Sequence, residues 1–167
     1  MTNATQLNNT TFNQESAQVA IVTGAAGGIG KEIVRKLAKE SKKVAAVDFN
    51  EVALNKVIAE MASEGLTVYP FIADIGSSKA VEAFIEDVEN TLGPVNYLVN
   101  AAGVLRTGAV TELSDEDWEF TMRVNTSGVF FVSRSVARRM IARGDKGAIV
   151  TVASNAASTA RVDMGAY

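Results

Sequence analysis

Short apolar runs alternate along this chain with longer stretches in which apolar residues return every three or four positions. The runs at 19–22, 43–48, 66–73, 95–100 and 147–153 read as strands, being too short for helices and rich in Val, Ile and Ala. Between them Ile29, Ile33, Val34 and Leu37, then Leu54, Val57, Ile58 and Met61, then Val81, Phe84, Ile85, Val88 and Leu92 give the faces of three helices. A longer helix is expected from a Ser114 cap, with Asp115, Glu116 and Asp117 in its first turn, towards Arg143. Its stripe of Trp118, Met122, Val129, Val132, Val136 and Met140 is expected to face a core, and Asn125 falls on the same stripe. A buried amide needs partners, because an unsatisfied polar group costs about 1–3 kcal/mol. The alternation as a whole predicts an α/β fold, a doubly wound parallel sheet with helices on both faces and ligands beyond the carboxyl ends of the strands.

Residues 1–18, rich in Asn, Thr and Gln, are expected to be a flexible tail, leaving 19–167 as the folded domain. The N-x-T triplets at Asn3, Asn8 and Asn9 lie in that tail without a secretory signal and are taken as chance. A length of 167 residues and 47% hydrophobic content suffice for one domain with a core. The net charge of −3 and 16 scattered Lys and Arg argue against nucleic acid, and no apolar run is long enough to span a membrane, so the expected location is cytoplasmic. There is no Cys and no His. That excludes disulfides, thiol and Ser-His-Asp chemistry and the usual zinc sites, so no metal is expected and any acid or base must be Tyr, Lys, Asp or Glu.

The sharpest local signal is Val19-Ala20-Ile21-Val22-Thr23-Gly24-Ala25-Ala26-Gly27-Gly28-Ile29-Gly30, a strand, a glycine turn and a helix start. Glycines admit an anion close to the backbone, and the N-terminus of a helix attracts negative charge. Gly30-Lys31 echoes a nucleoside-triphosphate loop, but Ala25 and Glu32 stand where that loop needs Gly and Ser or Thr. Asp48, ending the second strand, suits either the adenosine ribose of NAD, where it would repel the extra phosphate of NADP, or a helix cap. Asp74 suits either an adenine edge or a turn, and Asn100-Ala101-Ala102-Gly103 is a small-residue turn that a dinucleotide could lie against.

Thr23, Gly24, Gly28, Ile29, Gly30, Asp48, Asp74, the Asn100-Ala101-Ala102-Gly103 turn, Asn125, Ser154 and Tyr167 together, in order and spacing, resemble the short-chain dehydrogenase/reductase family. The resemblance spans 19–167 and implies a Rossmann fold, NAD as cofactor, Thr23, Gly24, Gly28, Ile29, Gly30, Asp48, Asp74, Asn100, Ala101 and Gly103 as its binding set, and Tyr167, Ser154 and Asn125 as the catalytic set. A narrower likeness, in Val99 to Arg106, Asp117-Trp118 and Ile149 to Tyr167, is to members that oxidise a carboxylated cyclohexadiene diol to a catechol for siderophore synthesis. It implies a cation for the substrate carboxylate, with Arg106 and Arg161 as candidates, and a homotetrameric full-length enzyme. The alternatives are another short-chain dehydrogenase, such as a ketoacyl reductase, or a non-catalytic dinucleotide-binding module.

One departure matters. In the family a lysine follows the tyrosine by four residues, and here Tyr167 is the final residue. An unassisted tyrosine titrates near pH 10, and the family's further helix and strands also fall beyond this point. The chain is therefore expected to be a C-terminally incomplete, inactive piece of the enzyme.

Overall fold

The computed structural model describes residues 18–40 and 42–167. The expected tail lies outside the described residues except for Gln18, which belongs to the folded part. Its carbonyl accepts from Lys43 N at 3.0 Å and its Oε1 from the Tyr97 hydroxyl at 3.1 Å.

Five strands and their crossover helices follow in chain order: β1 (Val19–Thr23), α1 (Gly28–Lys39), β2 (Lys43–Asp48), α2 (Glu51–Ser63), β3 (Val68–Ile72), α3 (Ser78–Leu92) and β4 (Val95–Asn100). Then come α4 (Asp115–Met122), a π-helical stretch (Arg123–Gly128), α5 (Val129–Arg143) and β5 (Ala148–Thr151). All pairings are parallel and the strand order is β3-β2-β1-β4-β5, so the doubly wound sheet expected from the alternation is what forms. Pro70 sits in the middle of β3, where its missing N–H is tolerated because β3 is an outer strand.

Alternation along β1 divides the interior in two. Val19 and Ile21 face the layer where all five expected α3 residues, Val81, Phe84, Ile85, Val88 and Leu92, pack with Val132, Val136 and Met140 of α5. Val22 points the other way, to Val34 of α1 and Leu54, Val57 and Met61 of α2. Ser114 caps α4 as expected, accepting from Asp117 N at 3.2 Å.

Two expected core residues are corrected. Ile29 is 62% exposed, because the start of α1 is uncovered, Gly27 and Gly28 before it being exposed too. Trp118 is 48% exposed, because the long helix is not one α-helix. The wide i→i+5 turn at Arg123–Gly128 rotates the stripe before it out of line with the stripe after it. Strands β3 and β5 are also shorter than the apolar runs that contain them. Among the described residues no helix is long and apolar enough to cross a membrane.

Candidate functional site

The strand order reverses between β1 and β4, whose crossovers leave on opposite faces and open a crevice at the carboxyl ends. A cavity of ≈ 430 Å³ lies there, lined by Gly24 and Gly27 after β1, Asp48 at the end of β2, Asp74 after β3, and Ala101 and Gly103 after β4. That volume is within the range of small-molecule and cofactor sites.

The glycine turn shapes the floor. Gly24 has φ +66°, and a Cβ there would stand 2.5 Å from Ala102 Cα, so this glycine lets the β1 and β4 turns touch. Thr23 Oγ1 ties the same two turns by accepting from Ala102 N at 3.3 Å. Gly30 is equally constrained, since a Cβ would fall on the Gly24 carbonyl. Gly28 differs: a Cβ there would meet nothing within 4 Å and its φ is not positive, so neither packing nor backbone geometry calls for glycine. Helix α1 begins at Gly27 with no side-chain cap and no acid in its first turn, leaving its positive end open to an anion. Gly28 and Ile29 do not line the main cavity but border a shallow apolar depression along α1.

Asp48 braces two turns at once, its Oδ2 accepting from Ala26 N and its Oδ1 from Asn50 N, each at 3.0 Å. Each oxygen keeps a further lone pair for a ligand hydroxyl. Asp74 accepts from Gly76 N at 2.8 Å and is ion-paired with Arg123, which also lines the cavity. Sequence reasoning missed Arg123 and the neighbouring Phe120, because the Arg123–Asp74 contact joins residues 49 apart and leaves no local pattern.

The remaining candidates are spread around this cavity. Asn100 is sealed from solvent and donates to Ser133 Oγ at 3.0 Å and Thr151 Oγ1 at 3.3 Å, while its Oδ1 has no partner among the described residues. It braces β4 against α5 and β5. Asn125, inside the π stretch, donates to the Val104 carbonyl and accepts from Val104 N, both at 2.8 Å, which satisfies the amide that the helical stripe left unexplained. Ser154 Oγ accepts from Ala156 N at 3.2 Å, and Tyr167 is 43% exposed. Neither lines the main cavity, and no hydrogen bond among the described residues joins them. Arg106 pairs with Asp117 at 3.1 Å and lies over the Phe120 ring at 4.8 Å, whereas Arg161 donates to Asn155 Oδ1 at 3.1 Å. The two loops that carry these arginines meet around Gly108. Gly108 N donates to the Asp163 carbonyl at 2.9 Å, Gly108 bridges Met164, and Ala166 beside them is buried.

Among the described residues no cluster of three acidic side chains could hold a metal ion. The arrangement instead offers glycine backbone and a helix start for a pyrophosphate, and carboxylates at the ends of two strands for hydroxyl and amine donors.

Comparison with known proteins agrees with this geometry. The 2,3-dihydro-2,3-dihydroxybenzoate dehydrogenase of Bacillus subtilis (strain 168) is 46% identical over 150 residues, which cover 90% of this chain and 57% of that enzyme. The chain thus spans little more than half the length of that relative. Among solved structures, an actinorhodin polyketide ketoreductase with NADPH superposes with TM-score 0.86 at 37% identity, covering 90% of this chain and 58% of that one. An NAD+-bound xylitol dehydrogenase superposes with TM-score 0.85 at 31% identity, covering 93% and 60%. The sequence model for short chain dehydrogenases matches residues 18–167. A parallel sheet with helices on both faces, a crevice at its strand ends and these matches lead to one conclusion: the chain belongs to the short chain dehydrogenase family.

Proposed function

We propose that these residues form the NAD-binding part of an enzyme that oxidises 2,3-dihydro-2,3-dihydroxybenzoate to 2,3-dihydroxybenzoate for siderophore synthesis, in the cytoplasm and as a homotetramer. The observation that carries the cofactor reading is the cavity at the strand ends, lined by Gly24, Gly27 and Asp48. The substrate reading is supported by the 46% identity to the Bacillus enzyme.

In this reading the first turn of α1 and the backbone at Gly28 receive the pyrophosphate, and Asp48 accepts hydrogen bonds from the adenosine ribose hydroxyls. The same carboxylate repels a 2′-phosphate, which favours NAD over NADP. NAD, when bound, supplies the hydride acceptor. Tyr167 takes the proton from the substrate's C3 hydroxyl as hydride leaves that carbon, and Ser154 donates a hydrogen bond to the reacting oxygen. Asn125, whose amide is paired with Val104, holds a water in the proton relay. Arg106 and Arg161 pair with the substrate carboxylate. The ketone then tautomerises to the aromatic catechol, which pulls the oxidation forward.

The 167-residue chain alone is proposed to be inactive. Tyr167 is exposed and lacks the ammonium that would lower the barrier to losing its proton. A second reading, reduction of a ketoacyl thioester, is favoured by the likeness to the polyketide ketoreductase. The test is NADH formation from NAD and 2,3-dihydro-2,3-dihydroxybenzoate, using this chain and a version extended by the residues its relatives carry beyond this point. Turnover by the extended chain only is the expected result. A folded, NADH-binding extended chain that ignores the diol but reduces a ketoacyl thioester would replace the substrate assignment.

A further inference from the structure

The cleft wall at β3 contains a charged residue to which the cofactor reading above gives no role. Arg123 opens the π stretch, lines the cavity and is ion-paired with Asp74. Its guanidinium carbon lies 5.5 Å from the centroid of the Phe120 ring, which also lines the cavity. Asp74 is thereby held at both oxygens, by Gly76 N at 2.8 Å on one and by Arg123 on the other.

Two glycines fit this joint. A Cβ on Gly76 would stand 2.7 Å from Arg123 Nη1 and 2.8 Å from its Cγ, so the turn after β3 is bare where the arginine crosses it. A Cβ on Gly128, at the far end of the π stretch, would stand 2.8 Å from the Ile75 side chain. Neither glycine has a positive φ, so backbone conformation does not explain them. Close packing of the Asp74-Ile75-Gly76 turn against the π stretch does, and the two ends of that stretch clamp the turn from either side.

We propose that Arg123 is a positioning residue for the purine end of the cleft: by pinning the Asp74 carboxylate it makes the site select adenine over hypoxanthine. The proposal rests on the dinucleotide reading of the cavity. A pinned carboxylate accepts a hydrogen bond from the exocyclic amine of adenine and repels the carbonyl oxygen that hypoxanthine carries in its place. A carboxylate able to swing can instead turn to the N1–H of hypoxanthine, and discrimination falls. Arg123 reaches Asp74 through Nη1 alone, and the Phe120 ring beneath the planar guanidinium helps to fix its direction, which a lysine ammonium on a flexible stem does less well.

The test is titration of the chain with NADH and with reduced nicotinamide hypoxanthine dinucleotide, monitored by calorimetry or nucleotide fluorescence, with far-ultraviolet circular dichroism to check the fold. The wild-type chain is expected to prefer NADH by about tenfold, and Arg123→Met to lower that preference to about twofold, mainly by weakening NADH. Arg123→Lys gives an intermediate ratio, and that variant decides the matter if the methionine variant does not fold. Full preference retained in both variants, or equal loss of both nucleotides, overturns the role of Arg123. Binding of neither nucleotide by the folded wild-type chain overturns the dinucleotide reading instead.

Discussion

The tetrapeptide Ala-Ile-Val-Thr occurs twice, at 20–23 in β1 and at 148–151 in β5. Both copies are parallel strands, and there the likeness stops. In β1 every residue is sealed from solvent, whereas in β5 every residue is exposed, Val150 by 54%. Strand β1 is paired on both sides and covered by helices on both faces, while β5 is paired with β4 alone. Identical side chains therefore set the local conformation and not the energy. Fully burying one such aliphatic side chain contributes about 1.5–3 kcal/mol, and the neighbours decide whether that is realised.

The widest separation should come from making the same change in both copies. Ile21→Ala is expected to cost about 2–5 kcal/mol in urea unfolding, and Ile149→Ala less than about 1 kcal/mol. Equal losses would mean that β5 is covered in solution. The glycine turn that β1 runs into, and β5 lacks, provides the next contrast. Gly24→Ala forces a Cβ against Ala102 at a positive φ and should destabilise by about 1–3 kcal/mol, whereas Gly28→Ala leaves stability unchanged and weakens NADH binding about tenfold. Thermal unfolding and nucleotide titration on the same two variants check this.

A smaller effect concerns the open edge. The outer strand β3 carries Pro70, which blunts it, but β5 has no such protection, so the chain should associate as its concentration rises. Val150→Lys is expected to lower the weight-average mass seen by sedimentation without changing stability. The smallest effect lies on α1, the helix covering one side of β1. The Arg35 guanidinium holds the Glu32 carboxyl below the usual carboxylate range. A carboxyl lowered in the folded state stabilises above its unfolded value and loses that contribution as pH falls through the folded one. The thermal midpoint should therefore drop slightly more steeply from about pH 5 to about pH 3 in the wild type than in Glu32→Gln.

The contrast between the two copies also separates the features legible in the sequence from those that were not. Periodicity located β1, β2, β4 and the whole buried face of α3, because alternation and helical spacing are properties of local sequence. It placed Trp118 and Ile29 in the core wrongly, because spacing shows which residues share a face but not what lies opposite. The π turn carries no hydrophobic signature of its own, and Trp118 lies on the side of it that is turned out of line. At the site, Gly24, Asp48, Asp74, Ala101 and Gly103 were legible as turn residues at strand ends and do line the cavity. Arg123 was not, since its partner Asp74 is 49 residues away, nor was Phe120, whose place on the cavity wall has no local pattern. Ser154 and Tyr167 were recognised only through family spacing, and they lie away from the cavity wall.

The single bridge between Gly108 and Met164 has a consequence for ordering. Two loops that move independently each lose their own conformational entropy when a ligand fixes them. Here segments 101–114 and 152–167 are already joined, so much of their relative freedom is lost before any ligand arrives. A molecule that grips Arg106 thus draws in the segment bearing Arg161 at less than the entropic cost of a second loop, and immobilising either segment lowers the cost of immobilising the other.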